Sequence, residues 1–166
     1  MHRARGILVL ALLLALGGCG AKVAVKQKPA PHLPVWTVVS FGVSLQHPSG
    51  WQIAPGYLER LQGKDGYVAL SALQGTGLVP RAAAESQAHQ TLNPFGSAPS
   101  MKAIQVDGQP GYVILPSGGQ TDAAAVVLYP KPQTISGVPY RYLIVLSTRK
   151  DIMPIVQSLQ FLGKKH

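Results

Sequence analysis

The feature that most limits what this chain can fold into lies at its start. His2, Arg3 and Arg5 put positive charge there, and Ile7–Leu16 follows as ten consecutive apolar residues. Gly17 and Gly18 close the run with small side chains. A positive end, an apolar stretch and then small residues is the order of a secretory signal, which is removed from the mature chain. The stretch is too short for a membrane span, which takes about 20 apolar residues. Residues 1–18 are therefore expected to lie outside the fold, and the rest of the chain to be exported.

The junction reads Leu16-Gly17-Gly18-Cys19. It resembles the bacterial lipobox: an aliphatic residue, two small residues, then an obligatory cysteine. In that class the thiol receives diacylglycerol before the signal is cut. The resemblance implies cleavage between Gly18 and Cys19, lipidation of Cys19, and anchoring to the cell membrane or the outer membrane with the domain outside the cytoplasm. The spacing suits the chemistry, because the acyl transfer needs a thiol just past the apolar segment, at the membrane surface. The alternative is an ordinary signal peptide, or a short signal anchor, with an incidental cysteine. Cys19 is the only cysteine in the chain. Disulfides form in exported proteins, yet none can form within this one, and a leftover thiol there calls for another use. Two acyl chains anchor stably, where one is marginal.

The full chain carries 15 basic and 6 acidic residues. Arg3 and Arg5 leave with the signal, and the mature chain stays strongly basic. A basic chain invites a nucleic-acid reading, but the charge is dispersed and no basic stripe with interleaved aromatics occurs, so no nucleic-acid partner is expected. Lys22, Lys26 and Lys28 fall in the segment 19–34, where Pro29, Pro31 and Pro34 favour an extended spacer. Lys164 and Lys165 fall in a basic tail, 163–166. These lysines either solubilise the two ends or add about 1 kcal/mol each near an anionic lipid surface. A single domain over 35–162 remains between tether and tail.

That domain reads as α+β, a central, mostly antiparallel sheet flanked by helices. Val43 and Leu45 alternate with Ser44 and Gln46, as in a half-buried strand. Pro48-Ser49-Gly50 makes a turn before Trp51–Ala54. Asp65-Gly66 separates the strand-like runs Tyr57–Gln62 and Gly66–Gln74, and Asp107-Gly108 separates Met101–Val106 from Gln109–Leu115. Both pairs are hairpin signals, since glycine accepts positive φ. Ala123–Tyr129 and Val138–Ser147 are nearly continuous apolar runs, expected to be covered on both faces. Pro80–Leu92 predicts a helix opened by proline, with Ala84, Ala88 and Leu92 on one face. Asp151–Leu159 predicts another, with Ile152, Ile155, Val156 and Leu159 at helical spacing and Pro154 in its first turn. Asn93–Ser100, Pro116–Asp122 and Pro130–Gly137 read as long loops, where binding surfaces commonly sit.

Phe41-Gly42-Val43-Ser44-Leu45-Gln46-His47-Pro48-Ser49-Gly50-Trp51 resembles the opening of PsbP/Mog1-like domains: an aromatic, an alternating strand, Tyr-Pro, a turn, Gly-Trp. The closing stretch Asp151–Phe161, with Ser158-Leu159-Gln160-Phe161, is similar to the last helix and tail of those domains. His47 stands where the family often has tyrosine. The resemblance covers most of 35–162. It implies an α/β/α sandwich and an accessory, assembly or binding role rather than an enzymatic one. It carries over no metal or partner residues.

No catalytic or metal constellation stands out. His32, His47 and His89 are scattered, and a zinc site needs three or four converging ligands. No metal and no cofactor is expected. Ser147-Thr148-Arg149-Lys150 matches Ser-x-x-Lys, but that chemistry needs the serine to open a helix, and Ser147 ends a strand. Trp51 is either a ligand platform or a plug at the edge of the core. Arg141, between Tyr140 and Tyr142, is either a recognition edge or the solvent face of a strand. Charged residues make up 13% of the chain, against about 25% in ordinary domains, which leaves few groups for acid–base work. The expected function is a membrane-tethered, non-enzymatic binding or assembly module with an envelope protein as partner. An envelope hydrolase and a small-ligand carrier stand as the alternatives.

Overall fold

The computed structural model describes residues 32–163. Gly18, Cys19, most of the tether, and Lys164 and Lys165 lie outside the described residues. The chain enters through β1 (Val35–Val38), a 3-10 turn (Val39–Phe41) and β2 (Val43–Gln46). Then come β3 (Gln52–Ala54), β4 (Tyr57–Gln62), β5 (Tyr67–Leu73) and helix α1 (Pro80–Ala88). β6 (Ser100–Val106), β7 (Gln109–Leu115), β8 (Asp122–Ile135) and β9 (Val138–Thr148) follow, and α2 (Ile152–Gln157) and β10 (Gln160–Phe161) end the domain. The fold is a mixed α+β one, and its strands pair antiparallel.

The strands form two sheets rather than the single central sheet expected from sequence. Seven lie in the order β3-β4-β5-β9-β8-β7-β6, and β1, β2 and β10 form a small sheet of their own. The late apolar runs explain the layering. Along β8, Ala123, Ala125 and Val127 join the core shared with α2 and the small sheet, while Ala124 and Val126 join the core under α1. In β9, Leu143 and Val145 point one way and Tyr142 and Ile144 the other. Such strands are buried on both faces, so they must be apolar at every position.

Helix α1 lies close on the sheet because it presents Ala83, Ala84 and Ala88, all buried. It stops at Ala88, short of the predicted end. Leu92 lies beyond it and is 90% exposed, while Phe95 is buried in that core instead. Helix α2 buries Ile152, Ile155 and Val156, and Leu159 just beyond it is buried too. The Asp107-Gly108 hairpin forms as its sequence predicts, with φ of 47° and 72°. The Asp65-Gly66 hairpin forms for another reason, because Gly66 is not among the residues with positive φ. A Cβ on Gly66 would sit 2.6 Å from Asp151 Oδ2 and 3.0 Å from Trp51 Cζ2, and one on Gly63 would collide with the same indole.

The third expected loop is not a loop. Pro130–Ile135 belongs to β8, and the turn shrinks to Ser136-Gly137, with φ of 49° and 81°. Prolines in a strand are tolerated at bulges, and here the ladder breaks between Leu128 and Gln133.

Candidate functional site

That break builds one of the concavities of the domain. Leu128 pairs with Tyr142 and Gln133 pairs with Tyr140, so Tyr129-Pro130-Lys131-Pro132 stands opposite Arg141 alone. Extra residues in one strand bend it and re-aim its side chains. Tyr142 belongs to the core under α1, yet Tyr140, two residues earlier, packs against the core on the α2 side. Side chains two apart on a regular strand share a face, so the tip of the β8–β9 hairpin has turned over. It leans toward the small sheet, where Gln133 Nε2 donates to the Ser40 carbonyl at 3.2 Å.

Between this hairpin tip and the C-terminal strand lies a cleft of about 550 Å³. Pro130, Lys131 and Pro132 form one wall, and Phe161, Leu162 and Gly42 face them. The Leu162 N–H donates to the Gly42 carbonyl at 2.8 Å and closes one end. Tyr129 also lines the cleft, with its ring edge-on to Phe161 at a centroid distance of 5.5 Å. The Tyr129 hydroxyl is buried and makes no hydrogen bond. Burial alone pushes its pKa up, because nothing there stabilises the phenolate. Lys131 is exposed, and prolines on both sides restrict its backbone. The arrangement offers apolar walls and one cation, as in a binding cleft.

Apart from Arg141, which stands opposite the bulge, the residues singled out from sequence lie elsewhere. Trp51 is half-buried, packed on the α2-side core and across Gly63 and Gly66, as a plug would be. It also borders a smaller polar hollow of about 380 Å³ with Lys64, Asp65, Lys150 and Asp151. His47 is 8% exposed. Its Nδ1 lies 2.9 Å from the Pro48 carbonyl oxygen, which can only accept, so Nδ1 carries the proton. His32 and His89 are exposed. Among the described residues no three His, Cys, Asp or Glu side chains gather as metal ligands would. Ser147 is fully buried in β9 and donates to the Tyr67 carbonyl. Arg141 is exposed, while Tyr142 is buried and donates its hydroxyl to the Leu78 carbonyl at 2.6 Å. The loops at 93–100 and 116–122 pack on one another: the Ser117 N–H donates to Phe95 O, and the Ala98 N–H to Ser117 Oγ.

Sequence reasoning placed 130–137 among the binding loops without choosing a residue. The Pro-Lys-Pro motif after a continuous apolar run was the available signal, since prolines that a strand tolerates mark a bulge. Comparison with known protein families gives no match for this chain, and comparison with curated proteins gives none.

Proposed function

We propose that this chain is a lipid-tethered envelope protein whose domain, a sandwich of the PsbP/Mog1-like kind, binds a partner rather than transforming one. The observation that carries the binding role is the cleft under the β8 bulge. A regular antiparallel pair would have no such opening, and the bulge places apolar walls, Lys131 and the Tyr129 side chain around it. The sequence at Leu16–Cys19 supports the tether and the compartment. Basic side chains outnumber acidic ones, which favours an anionic group at the Lys131 rim.

The test is a photocrosslinking amino acid at position 131 of the full-length chain, activated in the cells that make it, with mass spectrometry of the adducts. A reproducible adduct with one envelope protein supports an assembly role. A reproducible small-molecule adduct supports the carrier reading of the same cleft. An empty result from abundant, folded protein removes the cleft as a binding site.

A further inference from the structure

The hollows of the domain differ in the charges that line them. Asp107 lines the one beside Pro154 and Gln160, and Asp65 lines both of those near Lys150. The two at the β8 bulge hold a cation each and no carboxylate. Pro130 and Pro132 border both: the cleft of about 550 Å³ carries Lys131, and a smaller hollow of about 280 Å³ carries Arg141. Both cations are exposed, and the one ion pair among the described residues joins Arg81 to Glu85 instead. The remaining carboxylates stand elsewhere. Asp107 accepts from the Phe161 N–H at 3.0 Å but lines a different hollow. Asp122 begins β8, about 20 Å along the strand from Tyr129. Asp65 and Asp151 flank Trp51, and Glu59 lies on β4, two strands from β9.

The walls of the cleft restrict what can enter it. Pro130 and Pro132 have no N–H. The Gly42 N–H donates to the Val39 carbonyl at 3.0 Å, the Leu162 N–H to the Gly42 carbonyl, and the Phe161 N–H to Asp107. An extended peptide laid along these walls would leave its own carbonyls without donors, and an unmet polar group is costly. An apolar chain needs no donor, and it gains burial against Pro130, Pro132, Phe161 and Leu162. The volume is that of a small-ligand site, about 300–1,000 Å³. Lysine lays its aliphatic stem along apolar surface and keeps its ammonium in water. Lys131 therefore suits an anionic group at the mouth of the cleft better than one inside it.

We infer that the cleft under the bulge holds the acyl chain of an anionic single-chain lipid, with the head group at Lys131 and Arg141 reinforcing the positive field across the Pro130–Pro132 ribbon. The inference rests on the cleft reading above and names the occupant. Local charge selects an anionic head, since the cleft and the hollow beside it present two cations and no carboxylate. The donor-poor walls select an acyl chain over a peptide.

The experiment labels the purified full-length chain, in neutral detergent, with a diazirine-bearing palmitate and separately with the methyl ester of the same probe. Mass spectrometry maps the adducts. The acid should label peptides that hold residues 129–133 or 161–163 at least fivefold more than the ester does. That preference should vanish in the double variant Lys131→Glu, Arg141→Glu, whose thermal midpoint shows that it folds. If the double variant does not fold, Lys131→Gln takes its place, and the preference should fall at least twofold. No label at those residues, equal labelling by acid and ester, or a preference unchanged in the variant each overturns the inference. The in-cell adducts at position 131 separate the two readings. A protein adduct alone overturns the lipid occupant and leaves the cleft as a binding site. An empty result there, with no palmitate label on the purified chain, removes both.

Discussion

Trp51 and two glycines form one unit. The indole crosses the β4–β5 turn so closely that a single added methyl at Gly66 meets Trp51 Cζ2 at 3.0 Å and Asp151 Oδ2 at 2.6 Å. The Asp151 carboxylate is itself held, since Thr148 Oγ1 donates to it at 2.6 Å. Gly66→Ala should therefore destabilise the domain by about 1–3 kcal/mol, the usual cost of overpacking. Urea unfolding checks this as a lower midpoint at unchanged slope. In a Trp51→Leu background the penalty should shrink, because neighbouring substitutions are not additive.

The tyrosines set the alkaline limit. Burial, followed by the nearby Asp122 carboxylate, pushes the Tyr67 pKa up to about 12. Burial also raises Tyr129 and Tyr142. Unfolded tyrosine ionises near 10. Above that pH the unfolded chain binds fewer protons than the folded one, so stability is present in full below pH 10 and falls as pH rises toward 12. Tyr129→Phe should flatten that fall. It should also raise stability at neutral pH by about 1 kcal/mol, since it removes a buried, unpaired hydroxyl. Urea midpoints at pH 7 and pH 11 measure both effects.

Among the elements, the hairpins show how far sequence could be read. Asp107-Gly108 was legible because aspartate and glycine both accept positive φ. Ser136-Gly137 has the same backbone but was not legible, since serine rarely signals it. Prolines at 130 and 132 also argued against continuing the first strand up to the turn. Strand pattern alone does not show that a ladder survives such an interruption, and so the candidate cleft was hidden too. The two-sided burial of β8 and β9 was legible, because no solvated strand is apolar at every position. The early end of α1 was not, because alanine periodicity continues the pattern to Leu92 while Phe95 supplies the packing. The hairpin yields a stabilising prediction. Ser136→Asn puts a residue tolerant of positive φ where φ is 49°. It should raise stability by about 0.5–1 kcal/mol, read as a higher thermal midpoint with the position 131 adducts unchanged.

For the whole molecule, the domain reaches back to the last residue of the expected tether. Pro34, expected to be the last residue of the tether, is held by the domain: the His47 N–H donates to its carbonyl at 3.0 Å. Cys19 lies outside the described residues, and the cores of the domain are built from residues between 36 and 161. Cys19→Ala should therefore leave thermal unfolding of the domain unchanged while altering how the chain is processed. Without the thiol no diacylglycerol thioether can form, and a peptidase that acts only on the lipidated chain has no substrate. Intact mass should show a precursor that retains residues 1–18 and carries no acyl chain, where the wild type shows a shorter chain with acyl mass added. Detergent-phase partitioning is the weaker readout, because an uncleaved apolar run can itself hold the chain in a membrane. The acyl mass decides: if it survives in Cys19→Ala, the lipoprotein reading fails, and with it the compartment proposed for the cleft.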